Sequence, residues 1–149
     1  TIQNKLHWAI TNKTAAEIIA ERADHNKPHM GLTTWKDAPD GKIISTDVVI
    51  AKNYLLQEEI SELNTIVSMF LDYAENQARR QNLMSMDDWA YRLDSFLQFN
   101  EYDILTNAGK ISKKVADNLA KEEFKKYRVI QDREFKSDFD KLATSTMSS

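Results

Sequence analysis

Of the three glycines and two prolines in this 149-residue chain, Pro28, Gly31, Pro39 and Gly41 crowd into one stretch and only Gly109 lies elsewhere. Folds built from many short strands need a turn roughly every 8–12 residues, and Gly and Pro supply most of them. With turn residues so few and so concentrated, long helices are the remaining way to organise what lies on either side. The expected fold is therefore mainly α: a single-domain helical bundle of about five helices, with one long ordered loop and at most a small β hairpin. The length suits one domain with a core of its own. The domain is assigned to residues 1–143, and the Thr/Ser-rich end, 144–149, is expected to fray.

Apolar spacing and capping signals place the helices. Ile2, Leu6, Ala9 and Ile10 recur at helical spacing from the first residues, so the chain reads as starting inside a longer protein. Thr14-Ala-Ala-Glu17 has the form of a capping box and opens a second helix that turns Ile18, Ile19 and Ala23 inward. That helix ends before Pro28. Residues 28–42 form the long loop, and Trp35 is the residue expected to pin it. The β-branched run Lys42–Ala51 predicts a short extended segment or hairpin.

A central helix is expected from Asn53 to about Gln81. Leu56, Ile60, Leu63, Val67, Phe70 and Ala74 give it an apolar stripe that Ile66, Met69 and Tyr73 widen, as for a helix packed on more than one side. Ser85 with Asp88 starts the next helix, with Trp89, Leu93, Phe96, Leu97 and Ile104 buried and Gly109 as its stop. Ser112 caps a last long helix. Its apolar side includes Val115, Ala116, Leu119, Ala120, Phe124 and Tyr127, then Phe135, Phe139 and Leu142.

Composition narrows the function classes. The chain has no cysteine, which excludes disulfides and thiolate metal sites and points to a reducing compartment, the cytoplasm. No apolar run approaches the ~20 residues of a membrane span, so no membrane partner is expected. The net charge of −3 is unevenly spread: residues 1–109 carry 10 Lys+Arg against 16 Asp+Glu, and residues 110–149 carry 10 against 7. The basic tail is thus the electrostatic candidate for an anionic partner.

Several words of the chain, QNKLHWAITNKTAAEIIAERAD (3–24), MGLTTWK (30–36), IAKNYL (50–55), ELNTIVSMFLDYAENQA (62–78) and ILTNAGKISKKVA (104–116), resemble the C-terminal region of RhuM-family proteins in order and spacing. The resemblance covers nearly the whole chain. It implies a bacterial or prophage-borne, virulence-linked protein in which an upstream module resembles phage-type DNA-binding domains. It brings no catalytic residue set to place on these positions.

The residues themselves offer three candidate sites. His7, Glu17, Arg22 and Asp24, with His25 and His29 nearby, form the densest group able to do acid-base or metal chemistry, since imidazoles and carboxylates bind Zn²⁺ or Mn²⁺ and a histidine can move protons, as a nucleic-acid hydrolase requires. Opposed to this, Glu17 is already explained as a cap, and Pro28 keeps His25 and His29 off one helix face. On the long helix, Glu58, Glu62, Asp72 and Glu75 lack the Glu-x-x-His pairs of a di-metal bundle and read as a solvated face. The chain also lacks a phosphate-binding glycine loop, a nucleophile elbow and a dinucleotide fingerprint, so no cofactor and no metal are expected.

On the last helix Lys114, Lys121, Lys125 and Arg128 share one side with Asn118 and could track a phosphate backbone. The rival reading is solubility, through the i,i+4 pairs Asp117–Lys121, Glu122–Lys126 and Asp132–Lys136. The function expected is a helical scaffold or interaction domain, accessory to an N-terminal DNA-binding module. It would act as a homo-oligomer, or by docking a protein partner or DNA through the full-length protein. The alternative is a toxin-like or phage-defence enzyme using the group around His7.

Overall fold

In the computed structural model, the backbone is described for residues 2–147 and the side chains for residues 2–135. Five helices carry the fold: α1 (Ile2–Thr11), α2 (Ala15–Arg22), α3 (Gln57–Arg79), α4 (Met86–Phe99) and α5 (Lys113–Met147). Short 3-10 turns at Pro28–Gly31, Asp47–Val49 and Ala51–Tyr54 shape the connection from α2 to α3. Phe139, Leu142 and the side chains of the 144–149 end lie outside the described residues.

The caps form as the sequence predicts. Glu17 N–H donates to Thr14 Oγ1 at 3.3 Å while the Glu17 carboxylate accepts from Thr14, which closes the capping box of α2. Ser85 and Asp88 do the same for α4, and Val115 N–H donates to Ser112 Oγ at the start of α5. Ile18, Ile19 and Ala23 are buried with Leu63, Ala116, Ala120 and Tyr127 in the main core, which Met30, Leu32 and Trp35 of the loop complete. A second cluster holds Ile66, Leu93 and Leu97, with Ile2, Ala9, Phe70 and Phe96 packed against it. The wide stripe of α3 serves both: Leu63 with Ile60 and Val67 faces the first cluster, and Ile66 with Phe70 the second.

The loop is pinned as expected. Trp35 is 8% exposed and its indole N–H donates to the Gly41 carbonyl at 2.9 Å. Buried Asp47 accepts from Lys36 N–H at 3.2 Å and Ile44 N–H at 2.9 Å, tying both sides of the loop to one carboxylate. The β-branched run after it differs from expectation: no strand occurs among the described residues. Residues 47–54 close into 3-10 turns through their own local hydrogen bonds, and Gln131 of α5 satisfies the backbone just before them. Its amide accepts from Ile43 N–H (2.8 Å) and donates to Ile43 C=O (3.0 Å), pairing that backbone as a neighbouring strand would.

Other boundaries move as well. Residues 51–54 form a 3-10 turn, so α3 begins at Gln57 and not at Asn53. Helix α4 ends at Phe99, well before Gly109, and Ile104 reaches the second cluster from the following loop. Gly109 is needed for a different reason. It sits at φ +86°, and a Cβ there would lie 2.7 Å from Thr14 Cγ2 and 2.8 Å from Glu17 Oε1, so the chain passes directly over the α2 capping box. Along α5 the buried seam is narrower than predicted: Ala116, Ala120, Tyr127 and Gln131 are buried, but Val115 and Leu119 are exposed. Two of the seam residues are alanines, which lets α2 lie close against α5.

Candidate functional site

The group expected around His7 is divided among separate structural duties. Glu17 is held by Thr14. Arg22 makes a two-pronged ion pair with Glu59 at the start of α3, at 2.6 and 2.9 Å, and also donates to the Tyr54 carbonyl at 3.0 Å. The Glu59 carboxylate is drawn below its ordinary range chiefly by this Arg22 hydrogen bond, with further help from the Leu56 N–H. Asp24 accepts from Asn26 N–H at 2.9 Å and closes the turn after α2. The His29 ring packs against Trp35. His7 is 3% exposed on α1, its Nδ1 is buried without a hydrogen-bond partner, and burial pushes its pKa down.

The basic stripe of α5 stands on the surface, with half of it paired. Lys125 bonds Glu122 at 3.1 Å and the Arg128 guanidinium lies 3.9 Å from Asp132. Asp117 pairs with Lys113 and not with Lys121, and Glu122 with Lys125 and not with Lys126. Asp132 meets Lys42 across the fold, and its expected partner Lys136 lies outside the described side chains. Lys114 and Lys121 are the exposed members that make no ion pair among the described residues. On α3, Glu75 pairs with Arg79 and Glu62 accepts from the Tyr102 hydroxyl at 2.7 Å, while Glu58 and Asp72 are exposed, as for a solvated face.

The feature that sequence reasoning missed is the hairpin of α3 and α4. These helices meet through aromatic rings: Phe70 of α3 lies 5.6 Å from Phe96 and 6.0 Å from Trp89 of α4 between centroids, and Tyr73, next to Phe70 on α3, lies 6.4 Å from Trp89. Rings of that size hold the helices apart, and an open groove of about 1060 Å³ runs beside them. Tyr73, Leu83, Tyr91, Arg92, Phe96 and Phe99 are among its walls.

Large apolar side chains are exposed along it: Leu83 at 99%, Phe99 at 87% and Tyr91 at 74%, with Met86 at 70% beside them. Soluble surfaces carry such residues singly, and several together mark a contact surface. The signal was present in the sequence. Tyr91 and Phe99 stand outside the buried positions Leu93 and Leu97 of α4 and so have no place in its core stripe. Charges of both signs flank the apolar floor. Asp88 is held ionised by hydrogen bonds from Ser85, first its backbone N–H, and one turn on Arg92 donates to the Tyr73 hydroxyl at 2.6 Å.

No helix among the described residues is long and apolar enough to cross a membrane. The chain matches the family described as Virulence protein RhuM family over residues 1–136. No curated protein and no solved structure matches it.

Proposed function

Since this chain belongs to the Virulence protein RhuM family, we propose that it works as a helical interaction domain whose α3–α4 groove binds a second copy of itself and so pairs the DNA-binding modules it serves. The observation that carries this reading is the group of exposed apolar residues Leu83, Tyr91 and Phe99 along one groove. Charge supports a second copy as the occupant. A two-fold axis near Ala90 would run two α4 helices antiparallel and set Asp88 of each copy against Arg92 of the other, twice over, with the aromatic side chains between them.

Sedimentation equilibrium tests this directly. A concentration-dependent dimer is expected for the chain, and Phe99→Asp or Tyr91→Asp should weaken it at least tenfold without moving the melting temperature at dilutions where the chain is monomeric, since both side chains are exposed in the single chain. A strictly monomeric chain at 100 μM, on the order of 10⁻⁴ M, would refute the reading. The link to DNA is read from a gel-shift comparison of this chain with the full-length protein at two salt concentrations, where retention should need the full-length form.

A further inference from the structure

At the junction where α2 leads into the loop, two residues from the turn meet one from the long helix. Asp24, His25 and Glu123 each offer a ligand atom, and the three atoms lie within 4.8 Å of one another. We infer that Asp24, His25 and Glu123 form a site for a divalent transition cation, Zn²⁺ by preference, that ties the end of α2 to α5. The sequence reading weighed metal chemistry at the group around His7 and expected none; Glu123, 98 residues from His25, joins Asp24 and His25 only through the packing of α2 on α5.

The geometry fits such an ion. His25 Nδ1 lies 2.5 Å from Glu123 Oε2. Two ligand atoms on one Zn²⁺, each about 2.0–2.2 Å from it, stand about 3–3.6 Å apart at ordinary bond angles, so small side-chain rotations admit the ion. The Asp24 oxygen needs to close by roughly 1 Å at most to meet the same limit. One imidazole and two carboxylates make a donor set of intermediate hardness, which suits Zn²⁺ or Mn²⁺, and Zn²⁺ binds such a set more tightly.

The ligands are also oriented from behind, as ligands in metal sites usually are. The backbone N–H of His25 donates to Glu123 Oε2 at 3.1 Å, and that of Asn26 donates to Asp24 Oδ1 at 2.9 Å. The Asp24 N–H is itself bonded to the Met30 carbonyl at 3.1 Å, which fixes the turn that carries both residues. All three side chains are half-buried.

The test uses the untagged chain, stripped with chelator and titrated with ZnCl2 and, in parallel, CoCl2, whose visible absorption reports coordination by protein ligands. One equivalent should bind, and excess Zn²⁺ at about a hundredfold over Kd should raise the melting temperature by about 5–10 °C. His25→Ala and Glu123→Gln should each abolish both signals, whereas His29→Ala, outside the trio, should keep the cobalt spectrum. Because His25→Ala also removes a contact between the turn and α5, Asp24→Asn serves as the second variant and should weaken binding at least tenfold. Absence of cobalt absorption and of any zinc-induced shift in the unaltered chain would overturn the site, and so would binding that survives in both His25→Ala and Glu123→Gln.

Discussion

Arg22, in the last turn of α2, grips both carboxylate oxygens of Glu59, in the first turn of α3, 37 residues further along the chain. The pair is about four-fifths shielded from solvent at both side chains, and the same guanidinium bonds the Tyr54 carbonyl, so three segments are joined at one point. Arg22→Ala should cost about 2 kcal/mol, between the values for exposed and fully buried pairs. Arg22→Lys should recover only part of that, because an ammonium cannot reproduce the fork. Urea denaturation at pH 7 measures both. Since Glu59 sits below its unfolded value of roughly 4.3, the contribution is fully present at neutral pH and is lost as pH falls through the lower folded value. Glu59→Gln should therefore flatten the stability curve below about pH 4.5.

Gly109 tests how closely the α4–α5 connection rests on α2. Its positive φ and the proximity of Thr14 and Glu17 make any side chain costly. Gly109→Ala should destabilise by about 1–3 kcal/mol. Thr14→Gly leaves space for the added methyl at the expense of the cap, so the loss in the double variant should be smaller than the sum of the two single losses. A double-mutant cycle reads that coupling.

His7 predicts a pH dependence of a different sort. Burial keeps it neutral in the fold, and its pKa lies below the unfolded value of about 6.5. Stability should thus be complete above pH 6.5 and fall on acidification, as the unfolded chain takes up a proton that the folded chain resists. His7→Leu should flatten this slope below about pH 6.5. At pH 7 it should cost nothing or stabilise by up to about 1 kcal/mol, because Nδ1 is buried without a partner. A steeper slope in the variant would contradict the assignment.

Phe70 is the ring that Tyr73, Trp89 and Phe96 all touch, so it holds α3 and α4 at their separation. Phe70→Ala should cost about 3–4 kcal/mol through the cavity it leaves. It should also disturb the groove. Under the dimer reading the variant should associate more weakly even at temperatures where circular dichroism shows it folded, whereas Phe70→Leu should largely restore both properties.

The helices were legible in the residues because their signals are local. A capping box needs only Thr14 and Glu17, and a buried face needs only the spacing of Ile18, Ile19 and Ala23. Family membership could be read for the same reason, from words of contiguous sequence. Where the sequence reading departs from the structure, distant groups take part: Gln131 pairs the Ile43 backbone while residues 47–54 close into 3-10 turns, and the nearness of Thr14 adds to the requirement for Gly109.

The candidate sites follow the same division. Spacing put His7, Glu17, Arg22 and Asp24 into one group and also gave Glu17 its cap, but only tertiary packing gave Arg22 to Glu59 and brought Glu123 beside Asp24 and His25. It also left Leu83, Tyr91 and Phe99 uncovered: the spacing along α4 puts Tyr91 and Phe99 outside its core stripe but does not say whether another element covers them. Periodicity reports which face of a helix is apolar. Only the neighbouring elements decide which part of that face is covered, and which polar groups, far apart in the chain, come within reach of one another.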